Sequence, residues 1–145
     1  MTAPSDVDFM VLARERHELA AALAQVAGGP ELVEWFGDVT DFGDSEVVRL
    51  TLDRQGPSEL VVALEWPTKS AVVTFELSAW IDVTLRGFSH QNVIGGLKLL
   101  RPANREVDLW EQGVGLELGQ WMIELSPRFG ACGSIRANIE RILIR

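Results

Sequence analysis

The chain has 145 residues, is 47% hydrophobic and 23% charged, carries a formal net charge of −8, and holds one cysteine and two histidines. That length suits one domain, 1–145, with a core of its own, and its acidity removes the general attraction to nucleic acid and to anionic lipid surfaces. Cys132 alone closes no intramolecular disulfide, the histidines and the single thiol furnish no structural zinc site, and neither a secretory signal nor an apolar run of about 20 residues is present, so the chain reads as a soluble cytoplasmic domain.

Residues 6–27 place Phe9, Leu12, Leu19, Leu23 and Val26 at helical spacings, with Arg14, Glu15, His17 and Glu18 mostly opposite. This predicts an amphipathic helix that buries Leu12, Leu19 and Leu23 and exposes Glu15 and Glu18. Ser5 with Asp8 makes a capping-box-like start, and Gly28-Gly29-Pro30 is a stop. Pro30 also suits the first position of a short second helix, Glu31 to Phe36, closed by Gly37.

From Glu46 the period is two. Strands are predicted over 46–54, 59–66, 71–79 and 80–86, each with apolar residues on one face and polar ones on the other. The breaks are Gln55-Gly56-Pro57-Ser58 and Pro67-Thr68-Lys69-Ser70. Gly87 to Asn92 is a polar turn, and Leu97, Leu99 and Leu100 suggest a short strand before Pro102. Residues 114–118 and 120–125 alternate around Gly119, and Leu125-Ser126-Pro127 ends that pair. In 134–144, Ile135, Ala137 and Ile139 alternate, then Ile142 and Ile144 alternate out of phase. One extra residue near Glu140 or Arg141, a β-bulge, would keep them on one face. Short turns without crossover helices imply an α+β fold: a mainly antiparallel sandwich or half-barrel of about seven or eight strands over 46–144, with the N-terminal helix packed on it. A last strand at the sheet edge is a route to dimers, and the oligomeric state is otherwise open.

The sharpest local feature is 31–46, where Glu31, Glu34, Asp38, Asp41, Asp44 and Glu46 occur with no lysine or arginine. Residues 1–82 carry 15 acids and 5 bases, whereas 83–145 carry 6 and 8, so the acidity is local. Trp35, Phe36 and Phe42 interleave with the acids. Rings that anchor and charges that steer make a protein-binding surface, and Trp35, Phe36, Asp38, Asp41, Asp44 and Glu46 are the candidate residues. The plainer alternative is a solvated acidic connection whose rings pack on the sheet, with Asp44 and Glu46 capping backbone groups or pairing with Arg49, Arg86 or Arg136. The acidic spacing is not that of an EF-hand, and no metal or cofactor is expected. Cys132 reads as a packing residue, and Gly113 to Gly119 is not a dinucleotide loop.

Three segments carry a family resemblance. Residues 42–47 read Phe-Gly-Asp-Ser-Glu-Val, 83–94 read Val-Thr-Leu-Arg-Gly-Phe-Ser-His-Gln-Asn-Val-Ile, and 125–139 read Leu-Ser-Pro-Arg-Phe-Gly-Ala-Cys-Gly-Ser-Ile-Arg-Ala-Asn-Ile. Together they resemble the immunity protein 50 family of bacterial polymorphic-toxin systems, with its F-H-D-[AS]-E-V, G-F-x-x-Q-N-V and P-x-[FY]-G-x-x-G-x-[FI] patterns. The matched positions include Phe88, Gln91, Asn92, Phe129, Gly130 and Gly133, with His90 inside the middle segment. Gly43 stands where the family has histidine, while Asp44 and Glu46 keep its acids. The resemblance covers residues 35–145 and leaves the first helix outside. It implies a non-enzymatic protein that binds and neutralises a cognate toxin in the producing cell, and it brings no catalytic residues. An acidic inhibitor suits a basic toxin. Phe88 and Phe129 are expected to be buried, with His90, Gln91 and Asn92 satisfying backbone groups at a turn. Two other readings remain: a carboxylate-dependent hydrolase using Asp41, Asp44, Glu46 and His90, and a small-ligand domain with Trp66 and Trp80 lining a cavity.

Overall fold

A computed structural model describes residues 6–101 and 119–145. Helical periodicity produces α1, Asp6–Leu23, and α2, Gly29–Phe36. Alternation produces β1 Glu46–Thr51, β2 Ser58–Glu65, β3 Ser70–Arg86, β4 Val93–Leu100, β5 Trp121–Phe129 and β6 Cys132–Ile144. All pairings are antiparallel, and the strands close in the order β1-β2-β3-β6-β5-β4. The molecule is α+β, with a mainly antiparallel sheet and an N-terminal helix packed on it. The sheet curls to full closure, a barrel. The strand predicted at 114–118 lies outside the described residues.

Alternation sends Leu60, Val62, Leu64, Val73, Phe75, Leu77, Ile94, Ile123 and Ile135 into the barrel, where all are buried. The helices extend the same core through Leu19, Leu23, Leu32 and Phe36, packing against β4 and β6. Burying a side chain of this size contributes about 1.5–3 kcal/mol. Gly28 lets the helices approach so closely: it holds φ +82°, and a Cβ there would fall 1.9 Å from the Ile142 carbonyl oxygen. At that approach the Ile142 N–H donates to the Ala27 carbonyl at 2.7 Å.

Five expectations need correction. α1 ends at Leu23, not residue 27: the Ala24 N–H still bonds four residues back, but those of Gln25 and Val26 bond three residues back and tighten the turn. Leu12 is 45% exposed, with Met10 and Val11 also exposed; from Met10 onward the first buried side chain on this helix is Leu19. Glu15 is half-buried because Lys98 of β4 pairs with it at 3.4 Å, while Glu18 is exposed as expected. Residues 71–79 and 80–86 form one strand, β3. No glycine or proline interrupts them, and the register against β6 slips between Ser78 and Asp82 instead of turning. β5 likewise runs past Pro127 to Phe129. Proline has no N–H for a ladder, and the β4–β5 register shifts where Ile94 opposes Pro127.

The predicted bulge in the last strand is present. Glu76 opposes Arg141 and Leu77 opposes Ile139, leaving Glu140 as the extra residue. Ile135, Ala137, Ile139 and Ile142 are thereby all buried. Side chains brace the irregularity: the Ser78 hydroxyl donates to Glu140, and Arg141 donates to both Glu76 oxygens, at 2.9 and 3.1 Å. Those hydrogen bonds, and then the Glu76 charge, raise the Arg141 guanidinium above its ordinary pKa. β6 lies between β3 and β5 in the closed order, so the edge-strand route to a dimer is removed.

Candidate functional site

Two regions hold the candidate residues. In the first, α2 and its connection to β1, helical spacing puts Leu32 and Phe36 on the buried face and leaves Glu31 and Glu34 exposed. Phe36 is 3% exposed and Phe42 1%. Their rings lie 5.1 Å apart, and Phe42 lies 6.2 Å from Phe75 inside the barrel. Trp35, half-buried, meets Phe36 at 5.4 Å and Trp66 at 4.9 Å. The aromatics therefore run from the surface into the core. Phe36 is a core residue and presents no ring to a partner, which corrects its place on the candidate surface.

The acids follow a different rule. Asp38 is exposed. Asp41 closes a local turn, its Oδ1 accepting the Gly43 N–H at 2.7 Å while Oδ2 pairs with Arg16 of α1 at 3.0 Å. Asp44 sits at φ +66° and pairs with Arg128 of β5 at 2.9 Å, both side chains being mostly exposed. Arg128 was not among the anticipated arginines: Arg49 pairs with Glu59, and Arg136 donates to the Gly119 carbonyl. Glu46 is half-buried at the start of β1, opposite Ala63 and Val93.

The second region is the barrel end formed by 87–92 and 128–133. Asn92 is 3% exposed. Its Oδ1 accepts the N–H groups of Ser89 at 2.8 Å and Ala131 at 3.1 Å, and its Nδ2 donates to the Ser89 carbonyl at 2.9 Å. One amide thus ties the turn to the start of β6, as its chemistry predicts. Gly130 makes the approach possible: it holds φ +87°, and a Cβ there would lie 2.3 Å from the Gln91 carbonyl oxygen. Gly133, at φ +140°, is closer still: a Cβ there would lie 1.9 Å from the Thr84 carbonyl oxygen.

Phe88 and Phe129 are 52% and 54% exposed, the reverse of the expected burial. The inward side of the turn is filled by the Asn92 amide, which turns the rings to solvent. His90 and Gln91 are also exposed. Of the two, Gln91 bonds through its backbone, exchanging contacts with the Ser89 hydroxyl.

The regions meet. The Val47 N–H donates to the Asn92 carbonyl at 2.8 Å, the Ile94 N–H to the Ser45 carbonyl at 3.0 Å, and Asp44 reaches Arg128. Segments 42–47, 83–94 and 125–139, distant in sequence, are joined at one end of the barrel.

No family model, curated protein or solved structure matches the chain.

Among the described residues, no group of three or more histidine, cysteine, aspartate and glutamate side chains converges as a metal site would require, and Asp41, Asp44, Glu46 and His90 form no such group. Of the two tryptophans expected to line a cavity, Trp66 packs against Trp35 with the rings tilted by 49°, and Trp80 is exposed. Sequence reasoning missed Lys69, which lies over the Trp35 and Trp66 rings. Its one signal was a lysine in the turn directly after Trp66.

Proposed function

We propose that this protein is a non-enzymatic binding protein of the immunity type, which neutralises a cognate bacterial toxin in the cytoplasm of the producing cell by covering the toxin's active surface. The observation that carries the proposal is the meeting of the three family-like segments at one barrel end, where Phe88 and Phe129 stand exposed on a frame held by Asn92. Exposed aromatics on a rigid frame are the usual anchors of protein interfaces. The exposed acids Glu31, Glu34 and Asp38 add a negative field that suits a basic toxin and speeds encounter.

The test is direct. The toxin encoded beside this protein's gene is purified and mixed with it, and complex formation and toxin activity are followed as salt is raised. The expected result is a stable complex, loss of toxin activity, and an association rate that falls with salt far more than dissociation rises. No complex and no protection of toxin-expressing cells would overturn the proposal.

A further inference from the structure

The turn between β2 and β3 carries a lysine, Lys69, whose side chain reaches back to the end of α2. Lys69 Nζ lies 4.5 Å from the Trp35 ring centroid and 5.1 Å from that of Trp66, and it donates to the Trp35 carbonyl oxygen. That carbonyl belongs to the last turn of α2, which has no basic residue of its own there. The negative end of the helix dipole and two indole faces therefore converge on one ammonium group. The two rings are tilted by 49°, both are half-buried, and Lys69 itself is exposed. Beside them an open groove of about 380 Å³ is lined by Glu31, Glu34, Trp35, Ser70, Ile144 and Arg145. Among the described residues neither Glu31 nor Glu34 forms an ion pair.

We propose that Trp35 and Trp66 form a receptor for a cationic side chain of the partner protein, an arginine or lysine, and that Lys69 is its internal occupant, displaced on binding. The site is already shaped around a cation. Exchanging one cation for another keeps the ring contacts and the carbonyl acceptor, while Glu31 and Glu34 give the incoming group a charge environment that favours it. That the incoming cation belongs to a partner protein rests on the binding-protein reading, but recognition of a cation does not. A cationic probe can therefore fail or succeed independently of any toxin.

The probe is a blocked tri-arginine peptide, titrated into the full chain while the indole N–H signals of Trp35 and Trp66 are followed by nuclear magnetic resonance. Wild type is compared with Lys69→Met, which removes the internal cation, and with Lys98→Met, which makes the same change of charge on β4. The expected result is that Lys69→Met binds the peptide about fivefold more tightly than Lys98→Met, with the shifts centred on the two indoles. Glu31→Gln with Glu34→Gln in the Lys69→Met background should reverse most of that gain. Equal affinity of the two lysine variants, or shifts centred elsewhere, overturns the proposal. A lower melting temperature in Lys69→Met without tighter binding also overturns it, leaving Lys69 as a helix cap only.

Discussion

In the connection from α2 to β1, rings go inward and carboxylates outward: Phe36 and Phe42 are sealed in the core while Asp38 and Asp44 stand in water. At the barrel end the order is inverted, with the Asn92 amide inside and Phe88 and Phe129 outside. What separates the two is the backbone. The carbonyls in the last turn of α2 are met by the Gly37 N–H and the Lys69 ammonium, so its buried face is free to be apolar. The 87–92 turn cannot satisfy its own, and a buried amide that serves three backbone groups outweighs the burial of a ring.

The contrast sets a ranked series of outcomes. Phe36→Ala should cost about 3–5 kcal/mol of stability in chemical denaturation, the size expected for a large cavity in a packed core. A loss as small as that of an exposed ring would place Phe36 back on the surface. Asn92→Ala should cost about 1–3 kcal/mol, since it orphans backbone groups at a buried turn; an unchanged melting temperature would remove the amide's role. Phe88→Ala and Phe129→Ala should leave stability within about 0.5 kcal/mol and weaken toxin binding about tenfold each, read by the same denaturation and by affinity. Smallest of all, Asp44→Asn should change stability by less than about 1 kcal/mol, because its pair with Arg128 is exposed. If Asp44→Asn instead unfolds the turn, the two regions are one structural unit.

Local pattern made much of this fold readable. The helix at the start and the strands came from spacing, and the bulge at Glu140 came from two runs of isoleucines that could share a face in no other way. Closure of the barrel did not, because it depends on a contact between Glu46 and Val93 that no local period encodes. The acids of 31–46 were legible as charge. The fates of the nearby rings were not, because hydrophobicity alone does not say which side of a turn faces the core. Lys69 was missed for a related reason: a lysine two residues after a proline looks like a solvated turn until the two indoles are seen beneath it.

The seam at Glu46 and Val93 has a consequence for how the barrel breathes. β3 and β6 are laced through eleven register pairs, whereas β1 meets β4 at a single pair with a few flanking bonds. A ring opens at its weakest link, so the Val47 and Ile94 amides should exchange with deuterium through local opening, well before those of Val73 or Phe75. Phe129 lies opposite Val93 across β4 and β5, and Phe88 lies in the turn leading into Val93. A toxin gripping both rings would act as a hoop around the gap, slowing exchange at Val47 and Ile94 and leaving the β3–β6 side unchanged.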